Sequence, residues 1–196
     1  MVEIILMRHG KPVLTKGRWL APFEMARWIE HYDRSEVEAA NIPAASAKAA
    51  TSASVIVSST AARALSSVQA LGYNASTADK VFCEAALPFS VWRFPYLPPH
   101  FWAAFFRLLW FFGYSRGVDS VHATRECAKV GAQKLIYLAQ NGSVLLIGHG
   151  IMNRLIAKEL AASGWVPRTR HDGKYWSTMV FALPSLPTKS TDCKLV

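Results

Sequence analysis

The sequence is poor in the residues that would cross-link it or let it hold a metal. Its three cysteines, Cys83, Cys127 and Cys193, form no spaced pair. No set of residues has metal-ligand spacing, so neither a disulfide framework nor a metal or other cofactor is expected. Long apolar runs are missing too. The most apolar stretch, Phe101 to Tyr114, is 14 residues and contains Arg107; a membrane span needs about 20 apolar residues. No charged segment leads into a long apolar stretch near the N-terminus, so no secretory signal is expected, and the reduced thiols point to the cytoplasm. No repeat and no long linker divides the chain, and residues 1–196 read as one domain.

What is present is a globular composition. Apolar residues make up 52% of the 196 and charged residues only 18%, enough for an α/β domain with a proper core. Lys and Arg number 22 against 13 Asp and Glu, a net charge of +9. That excess favours anionic partners: phosphate esters, nucleic acid or an anionic membrane. The basic residues are spread along the chain without a nucleic-acid motif, which disfavours DNA or RNA.

Residues 2–7 and 143–148 are short aliphatic runs ended by glycine, predicted to be buried strands, and Val55-Ile56-Val57 is a third. Helices are predicted over Ala61 to Leu71, with an N-cap among Ser58 to Thr60 and Gly72 as the stop, and over Phe23 to Tyr32, Val121 to Gln140 and Met152 to Ser163. Ser177 to Leu183 reads as a late strand, of the kind often found at an edge, and the Pro-rich tail from Pro184 as loose. Strands alternating with helices imply an α/β fold, with a mostly parallel central sheet covered by helices on both faces.

The chemistry sits at the strand ends. The first strand runs into Arg8-His9-Gly10, and the aliphatic run 143–147 into Gly148-His149-Gly150. Between them, Ser58-Ser59-Thr60-Ala61-Ala62-Arg63 sets a second arginine at a strand-to-helix turn. Ligands of open α/β sheets bind beyond the carboxyl ends of strands. There a neutral imidazole can attack phosphorus if its other ring nitrogen donates to a fixed acceptor. Arg8 and Arg63 offer forked donors for phosphate oxygens. His149, preferably protonated, is a further donor, and Ser58 or Ser59 can add others.

These three motifs, in this order across residues 4–160, resemble the histidine phosphatase superfamily, also called phosphoglycerate mutase-like. The resemblance implies that His9 becomes phosphorylated and that Arg8, Arg63 and His149 form the phosphate pocket. It also implies an acid that protonates the leaving oxygen and later activates water. Glu84, in Val81-Phe82-Cys83-Glu84-Ala85, is the matching candidate, ahead of Asp79 and Glu24. That role is expected to need burial beside the aromatic residues that follow. After Arg-His-Gly the chain continues Lys11-Pro12-Val13-Leu14 and lacks the polar run usual in the mutases. This departure and the short chain favour a phosphatase acting on a small phosphomonoester. A phosphoglycerate mutase, a protein-phosphohistidine phosphatase and a non-catalytic phospho-ligand-binding member are the alternatives.

The stretch Pro88 to Gly117 breaks the strand–helix alternation with a crowd of aromatic residues. It reads as an insertion within the domain that packs on it, caps a substrate pocket, or meets a membrane surface or a second copy. Lys11, Arg18, Trp92, Arg93, Tyr175 and Trp176 are the candidates for touching substrate. His31, His100, His122 and His171 have no partner motif and read as exposed or structural, with His171 also a candidate for the pocket rim.

Overall fold

The computed structural model describes residues 2–14, 18–38, 41–169 and 172–184. Six strands form one sheet: β1 (Glu3–Arg8), β2 (Val55–Ser58), β3 (Thr77–Ala78), β4 (Val144–Gly148), β5 (Val166–Pro167) and β6 (Thr178–Ala182). Their order is β3-β2-β4-β1-β6-β5. The first four of that order are parallel, β6 runs antiparallel to β1, and β5 antiparallel to β6. The predicted late strand is therefore not at an edge, because Val166–Pro167 pairs along its outer side. A two-residue strand carries too little periodicity to be read in advance.

Among the described residues, six α-helices accompany the sheet: α1 (Met25–Arg34), α2 (Ala44–Ser52), α3 (Ala62–Ala70), α4 (Pro99–Phe111), α5 (Val121–Leu138) and α6 (Gly150–Ala162). Alternating side chains of the central strands feed two cores. Ile4, Leu6, Val144 and Leu146 pack with Ala128, Leu135, Ile156 and Leu160 of α5 and α6. Ile5, Met7, Leu145 and Ile147 face the other way, onto Ala50 of α2 and Ala64 and Val68 of α3. The predicted cap at the start of α3 is not made: Ala61 is the N-cap, with no side-chain capping bond.

A third apolar cluster lies apart from the sheet. Met25 of α1 and Trp102 and Phe106 of α4 are buried with Leu20, and Trp28, Ile29, Leu87 and Leu97 pack around them. The indole of Trp102 donates to the Leu20 carbonyl at 2.8 Å, and Leu20 and Leu97 exchange backbone bonds of 2.8 and 3.0 Å. The aromatic stretch thus supplies a third, smaller core shared by α1 and α4. Among the described residues, no helix is long and apolar enough to cross a membrane. The tail beyond Leu183 falls almost wholly outside the described residues.

Candidate active site

Strand register brings the two histidines together. Arg8 and Gly148 are paired residues at the ends of parallel neighbours β1 and β4, so His9 and His149 leave the sheet side by side. Their ring centroids are 5.1 Å apart at an interplanar angle of 60°. The His9 amide donates to the Gly148 carbonyl at 3.0 Å and the Ser59 amide to the Ile147 carbonyl at 3.2 Å. β2 therefore ends in the same row. At Gly148 a side chain is excluded: a Cβ there would lie 2.4 Å from Oδ1 of Asn153. Asn153 ties α6 down by donating to the Met7 carbonyl at 3.0 Å.

His9 is buried, and its Nδ1 lies 2.7 Å from the carbonyl oxygen of Gly10. A carbonyl can only accept, so Nδ1 carries the proton and Nε2 keeps its lone pair. Burial above all, then Arg63 and Arg8, lower the His9 pKa to about 3, against the raising effect of the Gly10 bond. The imidazole is neutral at pH 7. His149 is buried too, and its Nε2 lies 2.7 Å from the Ser59 hydroxyl. Burial first, then Arg63, His9 and Arg8, hold it well below the usual histidine range. This direction runs against the expectation of a protonated His149. Desolvation beside two guanidiniums outweighs any need for a charged donor there.

The arginines are held by groups on different elements. Arg8 Nη1 donates to the Gly173 carbonyl at 2.5 Å, and its guanidinium lies 4.4 Å from the Tyr175 ring centroid. Arg63, buried on α3, pairs with Asp33 of α1 at 2.8 Å and lies 4.7 Å from the Tyr32 ring centroid. Burial, then the neighbouring Tyr175 phenol, push Tyr32 up to about 12 despite Arg63 and Arg8; it stays a neutral phenol. Arg8 Nε, Arg63 Nε and His149 Nδ1 are buried with no hydrogen-bond partner. Unpaired buried nitrogens of this kind are costly.

Glu84 closes the site from the other side. Its two carboxylate oxygens accept from the amides of Ile151, at 3.1 Å, and Met152, at 3.0 Å. These are first-turn amides of α6, where an anion is favoured. The hydrogen bonds that hold Glu84 come from this helix end and from the Ala85 amide, at 3.2 Å, and not from the aromatic segment. Arg107 of α4 donates to the carbonyls of Ala85, at 2.7 Å, and Ala86, at 3.4 Å, fixing the chain just after Glu84. The other acids are engaged elsewhere: Asp79 is ion-paired with Lys134, and Glu24 with Arg18 at 2.5 Å.

Above these groups lies a cavity of about 750 Å³. Arg8, His9, Arg63, Glu84, His149 and Tyr175 line it together. Its walls come from α1 (Ala26, Trp28, Ile29), α4 (Ala103, Ala104) and the connecting residues Leu87, Phe89 and Val118. Lys11, Arg18, Trp92, Arg93 and Trp176 do not line it. Lys11 and Arg93 point to solvent, Arg18 is exposed in its pair with Glu24, and Trp92 packs beside Phe105 with ring centroids 6.5 Å apart. Trp176 is buried in the core beneath Gly10. A sequence neighbour of a motif can point away from it, which composition does not reveal.

Four lining residues escaped the sequence reading. Tyr32 ends the helix predicted over Phe23 to Tyr32, Asp33 lies just past it, and Arg107 interrupts the most apolar stretch. His100 looked like an isolated polar residue, yet it too lines the cavity. The spacing of Trp28 and Tyr32 was the available signal: their rings stack at 5.3 Å and form one wall. His171 lies outside the described residues.

No protein-family model matches the chain, and no curated protein matches it in sequence. Solved structures are similar in fold. The open reading frame Rv3214 of Mycobacterium tuberculosis has a TM-score of 0.55 at 12% identity, over 94% of this chain and 96% of that one. A phosphoglycerate mutase from Bacillus anthracis str. Sterne has a TM-score of 0.55 at 15% identity, over 94% and 92%. A mycobacterial glucosyl-3-phosphoglycerate phosphatase in complex with VO3 has a TM-score of 0.52 at 20% identity, over 83% and 81%. The chain has the phosphoglycerate mutase-like fold, the fold of the histidine phosphatase superfamily that its three motifs resemble.

Proposed function

We propose that this chain is a phosphatase that hydrolyses a phosphomonoester through a phosphohistidine on His9. The observation that carries the reading is the Nδ1 bond from His9 to the Gly10 carbonyl. It leaves a buried, unprotonated Nε2 beside three buried nitrogens that lack partners. In the first step the Nε2 lone pair forms a bond to phosphorus while the bond to the ester oxygen breaks. Glu84, acting as general acid, gives its proton to the departing oxygen. In the second step water attacks the phosphohistidine, Glu84 takes a proton from it, and the P–N electron pair returns to Nε2. Arg8, Arg63 and His149 stabilise the equatorial oxygens throughout.

Hydrolysis is favoured over phosphoryl migration by the cavity walls. A mutase must hold a second anionic group of its substrate, whereas the walls here, apart from His100 and from Arg107, which is held by the Ala85 and Ala86 carbonyls, are mainly alanine, leucine, isoleucine and aromatic side chains. They suit a leaving group with an apolar or ring-bearing body. The test is to mix the protein with labelled aryl phosphate, quench in alkali and map the label. Acid-labile label on His9, absent in His9→Ala, together with release of inorganic phosphate is the expected result. Label on another side chain, transfer without release, or tight phosphate binding with no turnover from pH 4 to 9 would overturn it.

A further inference from the structure

Helix α4 is apolar apart from His100 and Arg107, yet it is not buried on every side. Trp102, Phe106 and Trp110 enter the core, and Ala103, Ala104 and Arg107 line the cavity. The remaining face carries Phe101, Phe105, Leu108, Phe111 and Phe112, with exposure running from 39% at Phe105 to 82% at Phe112. Steps of four, three and four from Phe101 to Phe112 make a continuous stripe on a helix. Trp92, half exposed and beside Phe105, extends it. A contiguous surface of large apolar side chains is an interaction site, since leaving it in water is costly.

The charge around this face identifies what covers it. From Ala85 to Val118 the chain contains no aspartate or glutamate, only Arg93, Arg107 and Arg116. Arg107 turns inward to the carbonyls of Ala85 and Ala86, which leaves the exposed Arg93 and Arg116 at the surface, with the exposed Asp119 just past this segment and bonded through its carbonyl to the Trp110 indole. A second copy packed on the same face would bring both copies' arginines into one interface, and like charges repel. Apart from the Trp92 indole, the exposed stripe offers no side-chain hydrogen-bonding group, whereas protein interfaces carry about one hydrogen bond per 100–200 Å². The helix, about 20 Å long by its 13 residues, is too short to span a bilayer but suits lying in one leaflet's interface, where tryptophan and tyrosine are enriched.

We propose that the outer face of α4 seats this protein on the surface of an anionic lipid bilayer, with the aromatic stripe at the headgroup–acyl boundary and Arg93 and Arg116 against lipid phosphates. This does not depend on the reaction catalysed. The experiment is co-sedimentation of the full chain with phosphatidylcholine vesicles with and without phosphatidylglycerol. Binding is expected only to the anionic vesicles and to weaken with salt. Phe111→Ser/Phe112→Ser and Arg116→Glu are each expected to weaken it about tenfold or more. Near-UV circular dichroism should show both variants folded, and turnover of a soluble aryl phosphate, if the wild type has it, should be unchanged because none of the three lines the cavity. No binding to anionic vesicles, binding that the variants leave intact, or a concentration-dependent dimer that Phe111→Ser/Phe112→Ser dissolves would overturn the proposal.

Discussion

Asp33 of α1 and Arg63 of α3 are joined by an ion pair of 2.8 Å in which the arginine is buried and the carboxylate is more than half exposed. A carboxylate therefore sits beside a guanidinium that the proposed chemistry needs for phosphate. It orients Arg63 and, at the same time, adds negative charge at an anion site. Asp33→Asn keeps an oxygen acceptor but removes the charge. Inorganic phosphate or vanadate is expected to bind that variant about three- to tenfold more tightly, the scale of one partly exposed charge. Calorimetric titration checks this, and weaker binding would mean that orientation outweighs repulsion.

Glu84→Gln removes the proton carrier while leaving an acceptor for one α6 amide. A fall in kcat of about 10²- to 10⁴-fold is expected. It should be steepest for alkyl esters, whose departing oxygen most needs a proton, and shallow for nitrophenyl esters. Rates across a leaving-group series measure it; an equal loss on every ester would remove Glu84 from the acid role. Losing a negative charge at the start of α6 should also lower stability by about 0.3–1 kcal/mol.

The buried neutral His9 makes the fold acid-sensitive. Its folded pKa of about 3 lies below the ordinary 6.5. Between those values the unfolded chain binds a proton that the folded chain does not. Stability is therefore full above pH 6.5 and falls as pH drops, by at most about 1.4 kcal/mol per pH unit for one such group. His149, shifted in the same direction, adds to the slope. Urea midpoints from pH 7 to 4 should fall less steeply in His9→Gln than in the wild type. Equal slopes would show that His9 is protonated in the folded protein.

Gly10 lies against the ring of Trp176, where an added Cβ would come within 2.4 Å of Cζ2 and 2.6 Å of Cε2. Trp176 is buried and its own backbone has φ of 64°, so the ring is not the free end of a flexible side chain. Gly10→Ala is expected to cost about 1–3 kcal/mol as an overpacked contact, or about 2–4 °C of Tm per kcal/mol in a chain of this size. Thermal unfolding followed by tryptophan fluorescence reads both the loss and the ring's displacement. An unchanged Tm would mean that the indole yields without strain.

The strand-end motifs were legible because their signals are local. An aliphatic run such as Ile4 to Met7 stopped by Arg8-His9-Gly10 declares a buried strand and its end within ten residues. Glu84 was legible only through the resemblance; nothing near it in sequence shows that it caps α6. The roles of Asp33, Tyr32 and Arg107 were hidden for the same reason, since each acts on a partner 20 or more residues away. Arg18 and Trp176 show the converse. Their types suit a pocket, but one is exposed and the other packs under Gly10.

By itself the sequence determined the parallel strands, the order of the three motifs and the row of groups beyond the strand ends, because hydrophobic periodicity and glycine stops act over a few residues. Tertiary structure alone decided the protonation of the histidines, the partner of each arginine and the side of α4 that meets solvent. Those depend on burial and on charges brought from distant segments, and neither is defined until the chain has packed.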